Sequence, residues 1–247
     1  MTDIIKVEDL VKIHESKRGA TPVLRGLSFQ QTRGEFLCIM GPSGSGKSTL
    51  LHLLSGLDRP SGGRIFLDGQ DLADLEGRDL TLKRRRTIGH VFQFFNLMPN
   101  LSCRENILLP LTIAGQQDAA GIALVETLIE RFGLTARASA LPHELSGGEM
   151  QRTSIARALA GGQELLLCDE PTGNLSQRAG REVMESLRQV NKDDGRSILL
   201  VTHNPRDATF ADRVLFLVDG QIDTEQVLKG PDITTEAVHE ALSALSI

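Results

Sequence analysis

The sequence contains no tryptophan and no tyrosine, so its nine phenylalanines and six histidines are the only rings that could stack on a planar ligand. Long apolar runs are also missing. The most apolar stretches, at residues 197–201 and 214–218, have the length of strands, whereas a membrane span needs about 20 apolar residues. We therefore expect a chain that does not cross a bilayer.

Cysteine is scarce as well. Cys38, Cys103 and Cys168 are far apart in the sequence, without a Cys-x-x-Cys pair or a neighbouring histidine cluster of metal-ligand spacing. We interpret all three as small core residues. The N-terminal residues 1–6 lack the basic-then-apolar order of a secretory signal, which favours residence in the cytoplasm.

The sequence also lacks an excess of positive charge, since its formal net charge is −5. Nucleic acid is usually bound by a basic surface, so we expect no nucleic-acid partner, and any anion has to be held locally. The one dense basic run, residues 83–86, could contact lipid headgroups or nucleic acid. We favour a solvated surface segment for it.

What the sequence does contain is enough apolar residues, 40% of 247, to bury a core in one compact unit or in a core with an insert. Strand-like segments alternate with helix-like segments, and a middle stretch at 104–159 consists mainly of helix formers. Strands are predicted at 6–10, 23–29, 35–40, 64–67, 88–92, 164–168 and 197–202, and helices at 48–56, 180–190 and 233–245. This order predicts an α/β fold in which a mostly parallel sheet carries an antiparallel opening piece and an inserted helical subdomain.

The loop between the predicted strand 35–40 and the helix 48–56 has the pattern glycine, four residues, glycine, lysine, serine. Its glycines let backbone N–H groups point at phosphate oxygens, and the following helix adds its positive end. Lys47 would reach the β- and γ-phosphates, and the Ser48 hydroxyl would bind Mg²⁺. A merely flexible loop is the alternative. The predicted ATP-binding residues are Gly41, Pro42, Ser43, Gly44, Ser45, Gly46, Lys47, Ser48 and Thr49.

Two acids, Asp169 and Glu170, follow the apolar run 164–168 and should emerge at the carboxyl end of a buried strand. Asp169 would orient Mg²⁺, and Glu170 would polarise the water that attacks the γ-phosphorus. On its own this pattern could equally be a turn signal after a strand. The next predicted strand ends before His203, which is placed to contact the γ-phosphate.

Residues 145–152, Leu-Ser-Gly-Gly-Glu-Met-Gln-Arg, resemble the signature sequence of ATP-binding cassette (ABC) proteins, which other phosphate-loop enzymes lack. In physical terms, Ser146, Gly147 and Gly148 begin a helix and form a second anion site from N–H groups. In the family this segment of one subunit faces the phosphate loop of another, so that a head-to-tail dimer sandwiches two ATP molecules. The resemblance therefore implies a second cassette subunit, which we take to be an identical copy.

The resemblance covers nearly the whole chain. It implies a P-loop NTPase core formed by residues 1–93 and 164–230, a helical signature subdomain at 94–163 and a C-terminal helix at 231–247, together one ABC transporter domain. Gln93 is similar to the family's glutamine loop, with a catalytic role and a role as metal ligand. Asp169 and Glu170 are similar to its Walker B acids, and His203 to its switch histidine.

Segments 102–115 and 170–175, and the short C-terminus, are most similar to the branch that serves lipoprotein release, macrolide-type export and cell division. This implies an ATPase that works peripherally, on the cytoplasmic face of the inner or plasma membrane, and drives a separate integral membrane permease. The alternative is a soluble cassette ATPase acting on DNA or the ribosome. A small-molecule kinase would share the phosphate loop but leave residues 146–152 unexplained.

Two positions depart from the family pattern. Ser176 stands where the family usually has an aspartate that helps to link the two ATP sites. His14 stands where a tyrosine would normally stack on adenine, and an imidazole stacks less well. We predict that His14 contributes modest base selectivity; an exposed loop histidine without a ligand is the alternative.

Overall fold

The computed structural model describes residues 2–16, 19–231 and 233–246 of the chain. Strands lie in two sheets. The first sheet has four antiparallel strands in the order β2-β1-β4-β5. These strands are β1 (Asp3–Ser16), β2 (Gly19–Thr32), β4 (Gly62–Leu67) and β5 (Gln70–Asp71).

The opening hairpin is longer than predicted at both ends. β1 continues through His14, which pairs with Thr21, to a last pair between Ser16 and Gly19. Polar residues join the strands here because cross-strand pairing satisfies their backbone N–H and C=O groups.

The second sheet has six strands in the order β10-β9-β3-β8-β7-β6. Five of them are parallel, and β10 pairs antiparallel with β9 at the edge. Its strands are β3 (Phe36–Met40), β6 (Ile88–Val91), β7 (Leu165–Asp169), β8 (Ser197–Thr202), β9 (Arg213–Val218) and β10 (Gln221–Lys229). The predicted fold class, a mostly parallel sheet with an antiparallel piece, is confirmed.

The parallel sheet separates two apolar cores. Successive side chains of β3 point to opposite faces, so Phe36 and Met40 join the core under the later helices, whereas Leu37 and Ile39 join the core shared with the first sheet. Because both faces are covered, every residue of β3 is buried. This explains why the central strands read as continuous apolar runs.

Eight α-helices are present in the described ranges, and among them none has both the length and the apolar character needed to cross a bilayer. They are α1 (Lys47–Leu54), α2 (Gly77–Thr87), α3 (Cys103–Ala114), α4 (Ala119–Arg131), α5 (Gly147–Leu159), α6 (Gln177–Asp194), α7 (Pro205–Ala208) and α8 (Thr235–Ala244). Within the same described ranges, short 3₁₀ turns occur at Leu72–Asp74, Thr135–Arg137 and Pro142–Glu144.

Helices α3, α4 and α5 fall within the predicted helical insert at 94–163, and the division of the chain into that insert and a core remains a prediction. The basic run 83–86 forms the end of α2, where positive side chains suit the negative end of the helix dipole. The predicted C-terminal helix begins at Thr235 rather than at Ile233, because the Thr234 hydroxyl accepts the N–H of Ala237 and caps it. All three cysteines are buried, as the sequence predicts.

Candidate functional site

The phosphate loop connects the end of β3 to the start of α1, as predicted. Glycine is required at two of its positions for different reasons. A Cβ on Gly41 would lie 2.2 Å from the carbonyl oxygen of Leu217. Gly46 has a φ of 106°, in the left-handed region that favours glycine, and packs against Leu24 of β2.

Lys47 is buried in this loop, where its Nζ donates to the carbonyl oxygens of Gly41 and Pro42 at 2.8 and 2.9 Å. Desolvation lowers the pKa of Lys47, against smaller raising effects of Glu170 and Asp169. No carboxylate in the described parts of the chain forms an ion pair with it. A buried cation without a paired acid favours a bound anion.

Two oxygen ligands meet beside the loop. Ser48 Oγ donates to Asp169 Oδ1 at 3.3 Å, and burial raises the pKa of Asp169. A hydroxyl and a carboxylate are ligands that a hard cation such as Mg²⁺ accepts. Within the described ranges, no group of three or more His, Cys, Asp and Glu residues could hold a metal alone. The donor set therefore fits a cation that completes its shell with phosphate oxygens and water.

Glu170 and His203 follow two neighbouring strands. Because β7 and β8 are parallel, with Asp169 beside Val201, the residues after each strand emerge at the same edge. His203 Nδ1 lies 3.0 Å from Glu170 Oε1. The Glu170 backbone has a φ of 43°, which is uncommon for a residue with a side chain, and its N–H donates to the Val201 carbonyl at 2.9 Å.

Gln93 comes two residues after β6, the strand next to β7. A Cβ on Gly173 would lie 2.8 Å from Gln93 Nε2, so the glutamine side chain packs against the segment that follows Glu170. Asn174 Nδ2 donates to the Gln93 carbonyl at 3.1 Å. The two loops at this edge are thus joined by direct contacts.

These residues share a cleft of 530 Å³. Its lining comprises Val23, Ser43, Gly44, Gly46, Lys47, Ser48, Thr49, Gln93, Asp169, Glu170 and His203. A larger cavity of 760 Å³ lies between α6, α7 and α8, but the cleft is where the phosphate loop and the acids meet. Cleft geometry and residue chemistry together suit a nucleoside triphosphate.

The Ser146 turn lies outside this cleft. Ser146 is exposed at the start of α5, where its Oγ accepts the N–H of Glu149 at 3.3 Å, while the Glu149 carboxylate accepts the N–H of Ser146 at 2.8 Å. This capping box lowers the pKa of Glu149, chiefly through the backbone N–H. Gly147 packs against Leu175, and neither Gly147 nor Gly148 lines the cleft.

His14 is a further predicted site residue that does not line the cleft. It is exposed on β1, opposite Thr21, and is absent from the cleft lining. Val23, two residues beyond Thr21, does line the cleft. The proposed stacking of His14 on adenine stays a prediction.

Sequence reasoning missed the residues that hold the segment after β6. Gln151 Nε2 donates to the Phe92 carbonyl at 3.1 Å. Arg157, also on α5, donates to the carbonyls of Phe95 and Asn96 at 2.8 and 2.6 Å. No sequence signal marks these contacts, since they depend on how α5 packs beside β6.

Ser176, the departure from the family aspartate, is the N-cap of α6. Its Oγ accepts the N–H of Ala179 at 3.4 Å. Serine is as good a helix cap as aspartate, so the local structure is retained without the carboxylate.

Comparisons with known proteins agree with this geometry. A family profile described as ABC transporter matches residues 24–173. The chain is 42% identical over 224 residues to the lipoprotein-releasing system ATP-binding protein LolD 1 of Rhodopseudomonas palustris, covering 90% of this chain and 99% of that protein. It is 40% identical over 250 residues to the macrolide export ATP-binding/permease protein MacB of Syntrophobacter fumaroxidans, covering 97% of this chain. It spans 35% of the length of that MacB.

Solved structures give the same result. The dimeric structure of the cassette MJ0796 from Methanocaldococcus jannaschii has a TM-score of 0.82 at 37% identity, covering 91% of this chain and 98% of that chain. A dimeric post-hydrolysis state of MJ0796 with ADP and Pi has a TM-score of 0.82 at 36% identity, with the same coverage. The chain therefore belongs to the ABC transporter family, as an ATP-binding and ATP-hydrolysing cassette of the branch that contains LolD and MacB.

Proposed function

We propose that two copies of this chain close around two ATP molecules and drive a separate integral membrane permease from the cytoplasmic face of the membrane. The dimer is proposed because the two anion sites, the phosphate loop with Lys47 and the Ser146 turn, lie apart within one chain. Lys47 lines the cleft, whereas the exposed Ser146 turn lies outside it. A second copy in head-to-tail orientation would bring its Ser146 turn to the triphosphate held by Lys47.

Each residue of the cleft has a distinct proposed role. Lys47 binds the β- and γ-phosphates, and Glu170 polarises the attacking water as general base. His203, whose Nδ1 contacts Glu170, would donate a hydrogen bond to a γ-phosphate oxygen. Ser48 and Asp169 would hold Mg²⁺, with Gln93 nearby as a further oxygen donor. When bound, this ion would neutralise phosphate charge.

The permease assignment is supported by relatives and by the surface. MacB is named as an ATP-binding/permease protein and LolD as a lipoprotein-releasing ATP-binding protein, which favours this function over a soluble ATPase on DNA or the ribosome. Phe94, Met98 and Ile113 are exposed by 73, 48 and 60%. Ile113 and Asn96 also line a groove of 420 Å³ beside β6 and α5. Exposed apolar surface beside a groove is typical of protein-binding sites.

A disulfide crosslink tests the dimer. Ser43 and Ser146 are both exposed, and the three native cysteines are buried, so new cysteines at these two positions should react with little background. We expect Ser43→Cys/Ser146→Cys, combined with Glu170→Gln, to form intermolecular disulfides when ATP is added. The two single-cysteine variants are the controls. Equal crosslinking with and without ATP, or none with ATP, would contradict the proposal.

Pull-down of the tagged Glu170→Gln chain from membranes tests the permease. The expected result is co-purification of an integral membrane protein in the presence of ATP. Recovery of the chain in the soluble fraction alone, bound to nucleic acid or ribosomes, would favour the alternative.

A further inference from the structure

The backbone at Glu170 adopts a conformation that needs support from its surroundings. Its φ of 43° lies in the left-handed region, which is unfavourable for a residue with a side chain. Such conformations persist only where neighbouring contacts fix them. Two backbone hydrogen bonds help here: the Glu170 N–H donates to Val201 O at 2.9 Å, and the Glu170 carbonyl accepts the N–H of Gly173 at 3.0 Å.

A third support is a buried carboxylate behind the cleft. Asp207, on α7, is 4% exposed. Its Oδ2 accepts the hydroxyl of Thr172 at 2.5 Å and that of Thr202 at 3.4 Å, and its Oδ1 accepts Asn204 Nδ2 at 3.0 Å. In the described part of the chain, no lysine or arginine forms an ion pair with this carboxylate.

The three donors connect Asp207 to both loops that carry the hydrolysis residues. Thr172 lies two residues after Glu170, and Thr202 directly precedes His203. Both hydroxyls converge on the same oxygen of Asp207. The contact between His203 Nδ1 and Glu170 Oε1, at 3.0 Å, is therefore supported from behind by one side chain.

We propose that Asp207 is a positioning residue for ATP hydrolysis, which sets the relative placement of Glu170 and His203 through the hydroxyls of Thr172 and Thr202. This inference rests on the proposed role of Glu170 as general base. Asp207 does not line the nucleotide cleft, so it acts through the two loops rather than on the substrate. A carboxylate suits this task because it only accepts hydrogen bonds, whereas an amide would turn an NH₂ group towards one of the three donors.

Burial raises the pKa of Asp207, while the bonds from Thr172, Thr202 and Asn204 and the nearby His203 act in the opposite direction. A buried carboxylate that loses one donor is left partly unsatisfied. The loops should then move rather than leave the charge unpaired, and a shift of the general base by about 1 Å can cost about a hundredfold in rate.

The matched pair Thr172→Val and Thr172→Ser tests this. Valine keeps the shape of threonine and its packing against Gly180 but removes the donor, whereas serine keeps the donor. We expect Thr172→Val to lower kcat by about tenfold or more with the ATP dissociation constant nearly unchanged, and Thr172→Ser to stay within about twofold of wild type. Asp207→Asn should behave like Thr172→Val, and it serves if the valine variant does not fold.

Measuring Thr172→Val in the Glu170→Gln variant distinguishes a loss of Glu170 positioning from a general loss of protein stability. Without the Glu170 carboxylate there is no base to place, so Thr172→Val should lower the residual turnover by no more than about twofold. Equal losses in both backgrounds, equal losses for serine and valine, or wild-type kcat in Thr172→Val and Asp207→Asn would overturn the inference. Wild-type turnover in Glu170→Gln alone would instead contradict the proposed role of Glu170.

Discussion

Lys47 and Glu170 are two charged residues whose surroundings differ from those of an ordinary surface charge. Lys47 is buried and donates to backbone carbonyls, and Glu170 has a left-handed backbone conformation with its carboxylate 3.0 Å from His203 Nδ1. In the proposed mechanism, Lys47 would bind the triphosphate and the Glu170 carboxylate would already be in position when the attacking water binds. Placement of this kind lowers the reorganisation needed during reaction.

Glu170→Gln tests the carboxylate at this residue scale. We expect ATP binding to be retained, turnover to fall by about a hundredfold or more, and the ATP-bound dimer to accumulate. Phosphate release and size-exclusion chromatography with light scattering would measure the two effects. A monomeric variant with wild-type activity would show that Glu170 is not the base.

His14→Ala tests base recognition. If the imidazole stacks on adenine, its loss should weaken ATP binding a few-fold, since stacking of larger rings is worth about 1–3 kcal/mol per base. Equilibrium binding of fluorescent ATP and GTP analogues would measure the change in selectivity. Unchanged affinity for both nucleotides would leave His14 as an exposed residue of the hairpin without a ligand.

At the scale of elements, the N-cap of helix α6 is a residue that departs from the family pattern. Ser176 caps α6 and stands at the position of a family aspartate. We expect Ser176→Ala to lower the free energy of unfolding by about 1 kcal/mol, because the cap is lost. Urea denaturation would measure it.

Ser176→Asp is the matched variant, because aspartate keeps the cap and restores the carboxylate. Its unfolding free energy should stay near that of wild type, while the dependence of ATPase rate on ATP concentration should become more cooperative. Wild-type cooperativity in Ser176→Asp would show that this carboxylate does not link the two ATP sites in this chain.

Elements buried on both faces were predicted close to their observed bounds, whereas the partly exposed strands β1 and β2 were predicted too short and β10 was not predicted. β8 was predicted at its observed bounds because all six of its residues are apolar or buried in the sheet. β10 was missed because it is an edge strand of mostly polar, partly exposed residues. The motifs located Lys47, Glu170 and His203, yet Asp207 carries no pattern, since its partners meet it only in the folded chain.

At the scale of the whole molecule, the exposed apolar surface around α3 should matter for the permease. Ile113→Arg places a charge in the groove beside β6 and α5, so we expect loss of co-purification with membranes while ATP affinity is retained. Ile122→Arg is a matched control, because Ile122 is 47% exposed on α4 and does not line that groove. Equal loss in both variants would mean that the groove has no special part in membrane attachment.

The segment after β6 is held by α5 through Gln151 and Arg157, and by the loop after β7 through Asn174. It is therefore attached at two places, to helix α5 and to the loop after β7. If α5 tilts relative to the sheet, the segment cannot stay fixed to both, and Gln93 must shift relative to Glu170. A partner protein that moved these helices would therefore change the position of Gln93 in the nucleotide cleft.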